Sequence, residues 1–119
     1  FSNHFSNKWS KEQIVAAKNT YGRIVDLSFP EILPDADLTE IKQICEKYFT
    51  KIKDILIQSK DENNAVHIMG EFTFTYNFLE RLKQNNILAV ASTTLREVYE
   101  DKNGNKLSKF NFIRFRNYY

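Results

Sequence analysis

The chain is poor in the residues that staple, break or punctuate a fold. It has one cysteine, two prolines, three glycines, one methionine and one tryptophan in 119 residues. A lone Cys45 excludes an internal disulfide, which fits a reducing compartment, so a cytoplasmic location is expected. No apolar run approaches the 18 residues of a membrane span, and no signal peptide is visible, so no membrane partner is expected. The formal net charge is only +2, too small for a nucleic-acid coat, and no DNA partner is expected. Two histidines and scattered acids give no metal-ligand spacing, and neither a metal nor another cofactor is expected. GxGxxG, GxxxxGK[ST] and GxSxG are all missing, which removes the dinucleotide fingerprint, the P-loop and the nucleophile elbow.

What is present is a dense apolar complement, 42% hydrophobic and 14% aromatic, with ten Phe and six Tyr. That suffices for one core, and residues 1–119 read as a single domain. The opening FSNH reads as the end of a strand entering a loop, so a first strand incomplete at Phe1 is expected. Ser10 with Gln13 gives a capping-box pattern, Trp9 with Ile14 a hydrophobic staple, and Gly22 a helix stop. IVDLSF (24–29) reads as a strand. Asp37 and Glu40 cap a second helix whose stripe runs through Leu38, Ile41, Cys45, Tyr48, Ile52 and Ile55 to a stop near Lys60.

AVHIM (65–69) and ILAVAS (87–92) read as buried strands around a helix that carries Phe74, Phe78, Leu79 and Leu82. Asn103-Gly104 marks a hairpin of roughly 96–102 and 106–116. Strands and helices alternate over short connections. The fold class is therefore α/β, a mostly parallel Rossmann-like sheet with crossover helices and a C-terminal antiparallel hairpin.

Ligands of open α/β sheets bind beyond the carboxyl ends of the strands. That rule selects the loops Ser2-Asn3-His4, Gly70-Glu71-Phe72-Thr73 and Ser92-Thr93-Thr94-Leu95-Arg96. Their hydroxyls, amide, imidazole and guanidinium suit an anionic or polyhydroxylated ligand. Gly70 admits two readings: close approach of a ligand to a helix N-terminus, or plain turn geometry with Glu71 complementing the helix dipole. Ser92, Thr93 and Thr94 either hold phosphate or ribose with Arg96, or merely finish a strand. His67 reads as a core histidine and Cys45 as structural. Arg114 and Arg116 fall on one strand face with Phe110 and Phe112, a candidate subunit contact.

The stretches SNH (2–4), WSKEQ (9–13), YGRIVDLSFP (21–30), ADLTEI (36–41), HIMGEFTFTY (67–76), ILAVASTTLREV (87–98) and KFNFIRFRNY (109–118) together resemble small CRISPR-associated proteins of type III systems. The resemblance runs from Ser2 to Tyr118, and GEFT and ASTTLREV are its most specific parts. It implies a Rossmann-like domain that binds cyclic oligoadenylate and, as a ring nuclease, cleaves it to end antiviral signalling. The ribose 2′-OH would attack its phosphate without a metal. His4 would be the acid or base and Arg96 the charge stabiliser, with Ser2, Asn3, Gly70, Glu71, Thr73, Ser92, Thr93 and Thr94 around the ligand. A non-catalytic sensor or an interaction subunit is the alternative. The symmetry of the ring implies a homodimer.

Overall fold

The computed structural model describes residues 1–119. Three helices, α1 (Lys11–Tyr21), α2 (Leu38–Gln58) and α3 (Phe72–Gln84), and three strands, β1 (Val66–His67), β2 (Ala89–Glu100) and β3 (Lys106–Asn117), form an α/β domain with a small mixed sheet. A single 3-10 turn, Ser6–Lys8, precedes α1. The sheet order is β1-β2-β3, with β1 parallel to β2 and β3 antiparallel to it. Two further parallel bridges extend that order, Ser2 to Ser28 on one side and Ser2 to Met69 on the other. The N-terminal residues thus lie between the 24–28 segment and β1. The expected strand over 24–29 contributes only that one bridge.

Each helix starts where its capping chemistry sits. The Ser10 side chain accepts from the Gln13 amide. Asp37 and Glu40 form a complete reciprocal capping box on α2. Glu71 accepts from the amides of Thr73 and Phe74 at the head of α3. Gly22 ends α1 at φ 93°, a conformation that favours glycine.

The apolar stripes of α2 and α3 cover one face of the sheet. Ile41, Cys45, Phe49 and Ile52 meet Phe74, Phe78 and Leu82 over Val66, Ile68 and Ala89. Phe1 inserts its ring at the centre, 5.1 Å from the Phe78 ring and 5.4 Å from that of Phe29. Buried among these, the Cys45 thiol is pushed up to about 11 and is inert at neutral pH. The opposite face carries His67, Val90 and Phe115, covered by Trp9, Ala17 and Tyr21.

Two expectations about the C-terminal part need correction. Residues 92–96 do not form a loop; β2 runs unbroken through them. Thr93 pairs with Arg114 but Thr94 pairs with Phe112, so Ile113 is an extra residue at a β-bulge. The bulge turns Phe110 and Phe112 to the face opposite Arg114 and Arg116. The Phe112 ring accordingly sits 5.0 Å from that of Phe115. No helix is long and apolar enough to cross a membrane.

Candidate functional site

The loops after Ser2 and after β1 come together as the strand rule requires. The Asn3 amide donates to the Met69 carbonyl at 3.1 Å, and by parallel register Gly70 lies level with Thr93 on β2. Most polar groups of this cluster are already engaged. The Ser2 hydroxyl donates to the His4 carbonyl at 2.8 Å and accepts from the His4 amide at 3.2 Å. Ser92 Oγ lies 3.0 Å from His67 Nε2 and 3.2 Å from Met69 Sδ. Thr93 Oγ1 donates to the Arg114 carbonyl. The groups left over are the exposed Asn3, His4 and Thr94 side chains.

The head of α3 has its own anion. Glu71 receives the Thr73 amide at 3.1 Å and the Phe74 amide at 2.7 Å, and the Phe74 bond leads in holding its carboxyl below the usual range. A ligand phosphate would have to displace that carboxylate. Gly70 answers to packing: a Cβ there would stand 2.3 Å from the Phe29 ring. Neither reading of this glycine, ligand approach or plain turn geometry, foresaw the Phe29 ring packed against it.

Arg96 stands apart from the cluster. It lies three residues beyond the Thr93 level, about 10 Å along the strand. Its guanidinium donates to Ser108 Oγ at 3.0 and 3.3 Å and rests over the Phe110 ring. The structure therefore sets Ser2 and Asn3 against Met69, next to Gly70 and the head of α3, places Ser92 beside Met69 and His67, turns His4 to a cavity beside the 22–27 segment, and leaves Arg96 outside.

The cavity, of about 140 Å³, opens beside the 22–27 segment and β1, with Ile52, Ile55 and Leu56 of α2 in its lining as well as residues of the α1 side. Trp9, Tyr21 and Phe115 supply aromatic walls, and Ser2, His4 and His67 line it from the strands. Arg23, Asp26 and Asp61 continue the lining along the 22–27 segment and the loop before β1. It extends toward the amino ends of the strands rather than above the carboxyl-end crevice. Asp26 holds the Ser6 amide and hydroxyl, and Asp61 holds the Arg23 amide at 3.0 Å. The Arg23 and His4 side chains remain unengaged.

His67 is the most perturbed group in this lining. Burial against Trp9 and Phe115 pushes its pKa down to about 4, so the ring is neutral at physiological pH. His67 Nε2 shares a hydrogen bond with Ser92 Oγ, and buried Nδ1 has no hydrogen-bond partner. No cluster of three His, Cys, Asp or Glu side chains is arranged to hold a metal.

Sequence reasoning missed the cavity walls. Trp9 reads as a staple, Tyr21 as the end of a helix and Phe115 as a hairpin residue. Only long-range packing unites them, and no local pattern announces that.

Residues 1–116 match the profile of the family described as "Uncharacterized protein MJ1673 family". A protein of Methanocaldococcus jannaschii, described as "Uncharacterized protein MJ1673", is 27% identical over 119 residues, covering 96% of this chain and 92% of the relative. No solved structure matches the chain.

Proposed function

The chain belongs to the MJ1673 family, and we propose that it is a Rossmann-like receptor for cyclic oligoadenylate in type III CRISPR antiviral defence. The sheet order supports the Rossmann-like reading, since Ser2 bridges Ser28 and Met69 in parallel and the order of strands reverses at the N-terminal segment. The ligand class rests on the sequence resemblance. The observation that carries the binding reading is the aromatic cavity reaching Ser2 and His4. Its volume is close to the roughly 150 Å³ of an engineered cavity that takes up benzene, so one planar ring fits.

In this reading the six-membered ring of an adenine enters the cavity against the wall that Trp9, Tyr21 and Phe115 form by packing on one another. The linked phosphates stay outside, met by the Arg23 guanidinium, the His4 imidazole and the Asn3 side chain. Binding is favoured over cleavage because Arg96, the expected charge stabiliser, is held on Ser108 away from these loops.

The presence of His4 in the same lining favours a second reading, in which the ring is cut. His4 would take the 2′-OH proton as general base, and the oxygen would attack the adjacent phosphorus. The departing 5′-oxygen would take a proton back, leaving a 2′,3′-cyclic phosphate. Arg23 would then stabilise the developing charge in place of Arg96.

Incubation with cyclic tri-, tetra- and hexa-adenylate in EDTA, read by calorimetry and product mass, separates the readings. Binding with intact rings is expected. Fragments ending in 2′,3′-cyclic phosphate would establish the second reading, and failure to bind any ring would sink both.

A further inference from the structure

The net charge of +2 averages over an uneven distribution. Residues 94–117 of the β2–β3 hairpin carry six basic and three acidic side chains, so the rest of the chain is slightly acidic. Strand pairing decides where those charges point. Arg116 lies opposite Ala91, Arg114 opposite Thr93, Lys109 opposite Glu97 and Leu107 opposite Tyr99. Alternation puts these residues on the face that carries Ala89, on which α2 and α3 pack. The bulge at Ile113 is what unites the cations, since strict alternation along β3 would send Lys109 to the other face. This face therefore bears three cations and one anion. All three cations are exposed, and none is in an ion pair, because the one salt bridge joins Arg81 to Glu46. Arg114 donates Nε–H to the Phe115 carbonyl, and its terminal nitrogens have no partner.

The helix α3 raises a wall beside this floor. One flank of the helix meets α2, where Arg81 reaches Glu46. The other meets the end of β3, where Lys83 Nζ lies 5.9 Å from the centre of the Tyr119 ring. Phe72, Tyr76, Leu79 and Lys83 recur at spacings of four, three and four, so they share that second flank. Joining two parallel strands, α3 runs antiparallel to β2. From Lys83 back to Tyr76 is about 10 Å of helix, or about three residues of strand. The Tyr118 amide donates to the Ala89 carbonyl, so Tyr119 is level with Leu88 and Tyr76 comes level with Ala91 and Arg116. One further turn brings Phe72 level with Thr93 and Arg114. The parallel register gives the same answer independently, because Gly70, just before the helix, is level with Thr93.

Exposures of 89% for Phe72, 66% for Tyr76 and 50% for Tyr99 leave three rings open on this surface. The acids of the helix do not neutralise it. Glu71 is turned back onto the Thr73 and Phe74 amides, and Glu80 lies off the flank stripe. Exposed rings alone would suit any apolar partner; the unpaired cations beside them select an anionic one. A chain that alternates phosphates with flat aromatic faces satisfies both. In a duplex the base faces are covered by one another, and only a single strand offers them to the rings.

We propose that the corner between α3 and the hairpin binds single-stranded nucleic acid. Its phosphates lie on Lys109, Arg114 and Arg116, and its bases stack against Phe72, Tyr76 and Tyr99. The site shares no residue with the lining of the cavity, so it is independent of the receptor reading above.

Fluorescence anisotropy of a labelled, mixed-sequence single-stranded RNA, titrated with the full chain, tests the proposal. Saturable binding is expected, weakening steeply as salt is raised. Arg114→Ala with Arg116→Ala should weaken it at least tenfold and flatten the salt dependence. Tyr76→Ala, at an exposed ring, should weaken it about fivefold or more at unchanged salt slope, since stacking releases no counterions. Both variants should keep the wild-type far-ultraviolet circular dichroism spectrum. Lys106→Ala, on the opposite face of the same hairpin, should bind within about twofold of wild type. Absence of binding by the wild-type chain would overturn the proposal, as would equal affinity for the same RNA annealed to its complement. So would displacement of the strand by polyglutamate at equal charge concentration, or an arginine-pair variant that binds as tightly as Lys106→Ala.

Discussion

Gly70 occupies the place where a small residue can mean a ligand or a neighbour, and here the neighbour is Phe29. Gly70→Ala should destabilise the fold by about 1–3 kcal/mol through overpacking. Phe29→Leu in the same chain should recover part of that loss in urea denaturation. A ligand-only role for the glycine predicts no such coupling. The sequence shows that a small residue is needed at a strand-to-helix junction. It does not show what approaches, because Phe29 is 41 residues away along the chain.

His67 makes a pH prediction. Between the ordinary imidazole value near 6.5 and about 4, the unfolded chain binds a proton that the buried ring refuses. Stability is therefore highest above the upper value and falls as pH is lowered through that window, by on the order of 3 kcal/mol at full effect. Urea midpoints for wild type and His67→Gln, measured from neutral to mildly acidic pH, should diverge, with the variant showing the flatter dependence. Parallel curves would refute the assignment. That His67 is a packed histidine was legible from its apolar neighbours; its orphaned Nδ1 was not.

At the scale of elements, the helices were the most readable part of the chain, because their caps are local. Asp37 and Glu40 close the capping box that their spacing announces. Asp37→Ala should cost about 1 kcal/mol, visible in the thermal midpoint. The hairpin was legible as a hairpin but not in its register. Gly104 sits at φ 78° in a turn that Asp101 closes by accepting the Asn103 and Asn105 amides. The bulge at Ile113 follows from fitting β3 against β2, and alternation read along β3 alone puts Phe110 and Phe112 on the wrong face. The supposed 92–96 loop failed for a related reason: Ser-Thr-Thr looks like a strand end unless β3 is there to pair with it.

For the whole molecule, the alternation of strands and helices identified an α/β domain, and the strand-end rule brought the 2–4 and 70–73 loops together correctly. It did not reveal the cavity, whose walls come from Trp9, Tyr21 and Phe115, residues 9, 21 and 115 of one chain. That wide separation also makes the cavity testable with an intrinsic probe, since Trp9 is the sole tryptophan. Titration of the protein with cyclic tetra-adenylate and its tri- and hexa-adenylate counterparts, followed by Trp9 emission, tests the receptor reading most directly. A saturable change in emission for one ring size, weakened at least tenfold by Arg23→Ala, is the predicted result. Emission that stays flat with every ring, together with no heat of binding, would contradict it.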